Sequence, residues 1–208
     1  MIHIEPEIRI VSDERCQQPR WLKIRSAEFL VSKPRVEGWL PKATREYFQS
    51  RNAVSGVIHC PLTQEVLMLR QFRFPVFAET KDLHKAWIYE HVAGLIEPDL
   101  TAKQNFIKEA LEETGVILVA DDVKQVASYY VSPGFVDEQH LIFVAELDEP
   151  QIPDVDAGLD EESEAIVAEW QTYDEIRELV KGVKDDSGNL HKIVDGKTLM
   201  ALIKIGLA

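Results

Sequence analysis

The 208-residue sequence predicts an α/β (α+β) sandwich, on three observations. Stretches of strand character and of helical periodicity follow one another in mixed order, and no segment repeats at a fixed period. The hydrophobic fraction is 45% and the charged fraction 28%, the balance of an ordinary globular chain with one core.

The elements can be justified in order. Residues 1 to about 50 read as a separate β layer: WLKIRSAEFLV (21–31) and LPKATREYFQ (40–49) have strand character, and KPRVEG between them supplies a turn. AVSGVIHC and EVLMLRQFRF are β-branched, apolar runs broken by PLTQ, which predicts a hairpin. WIYEHVAGLIE (87–97) reads as a further strand ending at Gly94. A helix is predicted over 101–114, because Thr101 and Gln104 form a capping-box pattern and Gly115 suits a left-handed residue past its end. At about 100° per residue, Phe106, Ile107, Ala110 and Leu111 share one face, expected to pack on a sheet. Glu109, Glu112 and Glu113 fall on the other side, within an arc of about 100°. VKQVASYYVS and EQHLIFVAEL follow as strands, then an acidic loop from Asp148 to about Glu164 and a last strand in AIVAEWQTY. TYDEIRELVKG and GKTLMALIKIG close the chain as amphipathic helices, with a polar turn at Asp185–Asn189 between them.

Charge narrows the function classes. Between Lys124 and Arg177 there are fourteen Asp and Glu and no Lys or Arg, so that stretch alone carries −14 of a net −13 and the remainder is near neutral. Phosphate-backbone binding needs basic surface, so nucleic acid is not an expected partner. No apolar run reaches the roughly 18 residues of a membrane span, and the N-terminus lacks the basic start and apolar core of a signal peptide. Cys16 and Cys60 fit no zinc spacing, and reduced thiols in the cytoplasm are the expected state. The six histidines include no HExxH pair. DGKT at 195–198 lacks the upstream glycine of a phosphate-binding loop and reads as a helix start. Ser132-Pro133-Gly134 is a turn, with no nucleophile elbow around it.

The glutamates of the 101–114 helix carry the chemistry. Facing like charges cost an isolated helix a few tenths of a kcal/mol per pair, and a divalent cation between them would offset that cost. The alternative is a solvated helix whose glutamates only confer solubility. The frame around them favours the cation: Gly94, then Glu109, Glu112, Glu113 and Gly115, with Ala110 and Val116 at the aliphatic positions, resemble the Nudix box G-x5-E-x7-R-E-U-x-E-E-x-G-U. Two positions depart from it. Leu100 stands where the family has Glu, and Lys108 where it has Arg, so a pair that orients loop and helix in the family is changed at both ends.

The resemblance extends over most of the chain to the ADP-ribose pyrophosphatase branch, which includes nucleoside-diphosphate-sugar hydrolases. It is carried by LRQFRF, YEHVAGLIE, SPGFVDE, LDEESEAI and DGKTLMAL. It implies a Nudix α/β/α sandwich with a mixed sheet over 51–208, and an N-terminal antiparallel layer, 1–50, that joins two subunits of a homodimer. It implies Mg2+, with Mn2+ as the alternative, held by Glu109, Glu113, Glu164 and the main-chain carbonyl of Ala93. Glu162 matches the catalytic base, with Asp160 and Glu161 as alternatives on the same loop, and Glu112 belongs to the catalytic group beside the metal ligands. Arg73, Arg45, Glu90 and Glu138 match substrate contacts, Arg45 reaching the partner subunit's site. Trp21 lies where the family stacks a ring on adenine, core packing being the alternative. The expected activity is hydrolysis of ADP-ribose to AMP and ribose 5-phosphate. The alternatives are GDP-mannose or another nucleotide sugar as substrate, or a catalytically silent nucleotide sensor.

Overall fold

The computed structural model describes residues 23–32, 40–154 and 166–208. Two strands, β1 (Lys23–Phe29) and β2 (Ala43–Gln49), pair antiparallel as a ribbon of their own, from Lys23↔Gln49 to Phe29↔Ala43. Every β1 residue is exposed.

Among the described residues, seven further strands form one mixed sheet around the hairpin of β3 (Ala53–Cys60) and β4 (Glu65–Phe72). These strands are ladder partners only beside the turn, at His59↔Val66 and Cys60↔Glu65, and then part. The predicted single strand at 87–97 fills the gap as two: β5 (Trp87–Glu90) pairs with β4, and β6 (Ala93–Leu95) pairs with β3. The physical reason is that one strand cannot follow two diverging partners, so the chain breaks register at His91-Val92. β8 (Gln139–Glu146) runs parallel to β3 and antiparallel to β7 (Val123–Tyr130), and β9 (Ile166–Thr172) covers the outer edge of β4.

Strand alternation sends side chains to two separate cores. On one side Val54, Ile58, Leu67 and Phe143 meet α3 (Ala102–Thr114) through Phe106 and Ala110. On the other, Val57, Val66, Met68 and Ile142 meet α4 (Tyr173–Lys181) and α5 (Gly196–Lys204) through Ile176, Ala201 and Leu202. The layers are therefore helix, sheet, helices, as predicted. Gly56 allows the close approach of α3: a Cβ there would lie 2.8 Å from the Phe106 ring and overlap the Phe143 carbonyl.

Three further features differ from what the sequence predicts. Residues 74–86, unassigned there, form α1 (Phe74–Thr80) and α2 (Leu83–Ala86), started by Pro75 and by an Asp82 cap. A short hairpin of β10 (Val183–Lys184) and β11 (Leu190–His191) brackets the polar turn, where Gly188 takes a positive φ. On α3, Leu111 is exposed while Glu113 lies among the buried residues. The buried stripe is Asn105, Phe106, Ala110, Glu113 and Thr114, rotated from the predicted apolar face because the helix packs on both β3 and β6. Among the described residues no helix is long and apolar enough to cross a membrane.

Candidate functional site

The site is built where β6 passes across α3. Thr101 caps α3 by accepting from Gln104 N–H while the Gln104 side chain returns to Thr101 N–H, and Gly115 ends the helix at φ 71°. With both ends fixed, two carboxylates of α3 are delivered to β6. Glu113 Oε2 accepts the Ala93 N–H at 3.1 Å. Glu109 lies against Gly94 so closely that any Cβ at 94 would overlap its carboxylate. The box glycine is thus a matter of space, since the residue facing Glu109 must have no side chain.

Glu112 behaves differently. Its carboxylate is taken by Lys108, which also reaches Glu97 Oε1 at 3.1 Å. The hydrogen bond to Glu112 holds the Lys108 ammonium up at about 12. Asn105, fully buried, donates from Nδ2 to Glu109 Oε1 at 3.1 Å and accepts the Glu97 N–H at 2.9 Å.

Beside this pair lies a cleft of about 540 Å³, lined among others by Arg73, Ala93, Gly94, Glu138, His140 and Lys197. Glu90, only 2% exposed, sits next to it and is gripped by Arg73 through two bonds of 2.7 and 2.8 Å and by Lys197. Burial alone would raise the Glu90 carboxyl, but the hydrogen bonds from Arg73 and the charge of Lys197 hold it below its ordinary value. Lys197 is also 3.0 Å from Asp195, the N-cap of α5, whose carboxylate accepts from Thr198 N–H. Glu138 accepts from His140 at 2.8 Å and from the Ser50 hydroxyl at 2.7 Å, and the His140 contact leads in keeping its carboxyl low. A second hollow, of about 690 Å³ beside α4, is lined by none of the described residues among those the sequence singled out.

The structure therefore gathers Arg73, Glu90, Ala93, Glu109, Glu113 and Glu138 around one cleft and the strand at its edge. Glu112 is one helical step away, on Lys108. Arg45 is not brought there: it is exposed on β2, with Nη1 on the Thr44 carbonyl at 2.9 Å. Trp21, Glu162 and Glu164, and the alternative bases Asp160 and Glu161, lie outside the described residues. Sequence reasoning missed Lys197, Asp195, His140 and Asn105. DGKT was legible as a helix start, and α5 does start there, but the partner of Lys197 is Glu90, 107 residues away.

The donor set on α3 and β6 is carboxylate and main-chain oxygen, the chemistry of a hard divalent cation. Among the described residues, no three His, Cys, Asp or Glu side chains converge as a metal site, which agrees with the engagement of Glu112 by Lys108. Glu109 and Glu113 fit such a cation as a two-carboxylate group.

Comparison with known proteins decides the family. The NUDIX domain model matches residues 50–192. This chain belongs to the NUDIX domain family. Among curated relatives, a GDP-mannose pyrophosphatase of Klebsiella pneumoniae is 26% identical over 75% of this chain and 75% of its own length. One of Yersinia pestis is 27% identical over 88% and 83%. An ADP-ribose pyrophosphatase of Escherichia coli K12 is 30% identical over 64% of this chain and 63% of its own length. A crystal structure of an "ADP compounds hydrolase" superposes with a TM-score of 0.60 over 94% of both chains at 14% identity, which supports the Nudix sandwich as the fold.

Proposed function

We propose that this protein is a Mg2+-dependent pyrophosphatase that hydrolyses ADP-ribose to AMP and ribose 5-phosphate. The observation that carries the reading is the convergence of Glu109 and Glu113 on Ala93-Gly94, at the edge of a cleft lined by Arg73 and Lys197. Carboxylates for a cation and fixed positive charges for phosphate oxygens stand side by side, which is what a diphosphate needs. Glu109, Glu113, the Ala93 carbonyl and Glu164 would hold the ion, Mg2+ or Mn2+. The cation, when bound, neutralises charge on the diphosphate oxygens.

The chain's own residues do the rest. Arg73 and Lys197 hold the anionic substrate, and Glu90 keeps both cations in place between turnovers. Glu138, itself held by His140 and Ser50, offers an acceptor to a sugar hydroxyl. A loop carboxylate, Glu162 by its match to the family, takes the proton of the attacking water. A new P–O bond forms, the bridging P–O bond breaks, and its electron pair leaves with the departing phosphate. Trp21 and the partner's Arg45 complete the substrate's other end in this reading.

A second substrate reading, GDP-mannose, is favoured by the relatives of that name, whose similarity spans 75% and 88% of this chain. The test is turnover of both compounds with Mg2+, wild type beside Glu113→Gln. Cleavage of ADP-ribose, lost in the variant, is expected. Cleavage of GDP-mannose instead would move the assignment, and nucleotide binding without turnover would leave a silent sensor.

Residues 1–50 are proposed as the dimerisation layer beside a Nudix domain at 51–208. The ribbon meets the rest of the chain through β2 at Phe48 and through Ser50 just after it, while β1 exposes its whole length, including Ile24 and Phe29. A second copy of this chain is the occupant that would cover it.

A further inference from the structure

We infer that Asn105 is a positioning residue for the metal-binding carboxylate of Glu109, and that with Lys108 it replaces the loop-to-helix pair this chain has lost at positions 100 and 108. The inference deepens the metal-site reading above and rests on it.

Asn105 is an improbable choice on local grounds. It lies inside α3 on the buried stripe with Phe106 and Ala110, where an apolar or small residue would suit helix propensity and packing better. Its amide is used at both ends. Oδ1 accepts the main-chain N–H of Glu97, and Nδ2 donates to Glu109 Oε1. The carbonyl end must face the N–H and the amino end the carboxylate, so the amide has one orientation and fixes the Glu109 rotamer against Gly94. The same loop residue is held a second time, since the Glu97 carboxylate is 3.1 Å from Lys108 Nζ. Residue 97 thus takes the part that residue 100, a leucine here, cannot take. Lys108 gives a point charge rather than a planar fork, and Asn105 supplies the direction that a point charge lacks. Outer partners that orient a ligating carboxylate typically contribute 10- to 100-fold in metal affinity.

The experiment is direct Mn2+ binding to the full-length protein by electron paramagnetic resonance, without substrate, in four proteins: wild type, Asn105→Ala, Glu109→Gln and the double variant. Asn105→Ala is expected to raise the Mn2+ Kd about tenfold in the wild-type background. In the Glu109→Gln background it should change the Kd by less than about twofold, because the carboxylate it orients is gone. An equal factor in both backgrounds would reduce Asn105 to a structural role and overturn the inference, as would an unchanged Kd in Asn105→Ala. Should that variant not fold, Asn105→Leu, which fills the volume without either hydrogen bond, carries the same comparison. Absence of Mn2+ binding by wild type is a different failure and would remove the metal-site reading itself.

Discussion

At the scale of single residues, burial decides which charges the molecule tolerates. His91 is fully buried with Nε2 3.2 Å from the Thr198 carbonyl, and burial lowers its imidazole from 6.5 to about 4. A depressed histidine is neutral in the fold and readily protonated in the unfolded chain. Stability from this group is therefore full above pH 6.5 and is lost as pH falls toward 4. His59, also lowered by burial, acts in the same direction. Glu90, held below 4.5, adds stability above that value which is lost only at lower pH. Urea midpoints measured from pH 8 to 4 should decline in wild type below pH 6.5, and His91→Asn should shrink that upper limb while leaving the decline below 4.5. Lys197→Met removes one of two cations from a buried carboxylate and should cost about 1.5–3 kcal/mol in urea denaturation. The loss stays below that of an uncompensated charge because Arg73 keeps its two bonds. Glu109→Gln should lower kcat by more than the roughly 10- to 100-fold typical of an outer partner, with the melting temperature little changed.

At the scale of elements, α3 is defined by its ends and oriented by its surroundings. The capping box at Thr101 and Gln104 and the left-handed Gly115 are local signals, and both predicted helix limits hold to one residue. Thr101→Ala should cost about 1 kcal/mol, read by thermal unfolding. Gly115→Ala combines an unfavourable φ of 71° with a Cβ only 3.2 Å from that of Asp154, so its cost should exceed the roughly 1 kcal/mol of the backbone alone. The face of the helix was less legible. Periodicity put Leu111 inside and Glu113 outside, whereas Glu113 is drawn in by the Ala93 N–H and Leu111 faces solvent. A hydrophobic index cannot register that a carboxylate has a main-chain donor waiting for it on another strand.

At the scale of the whole molecule, the β1–β2 ribbon is tied to the cleft. Phe48 N–H donates to the Phe135 carbonyl at 2.7 Å, the two rings meet edge to face, and Ser50 binds Asp137 and Glu138. Assembly through this ribbon would therefore act on the turn that presents Glu138. Light scattering should give twice the chain mass, and Ile24→Glu with Phe29→Glu should halve it and weaken substrate binding together.

Local pattern did not reach α1, α2 or the β10–β11 hairpin, but it was enough for the long strands, for the helices α3 to α5 with the limits of α3, and for the grouping of three glutamates behind a glycine frame. These follow from side-chain period, capping chemistry and spacing, all of which act within a few residues. It takes the assembled fold to divide the 87–97 segment between two strands, to give Glu112 to Lys108 while Glu109 and Glu113 meet β6, and to close Lys197 on Glu90. Those outcomes depend on where β3 and β4 part and on which helix end arrives beside them. Such contacts join residues as much as 107 positions apart, and no local pattern encodes them.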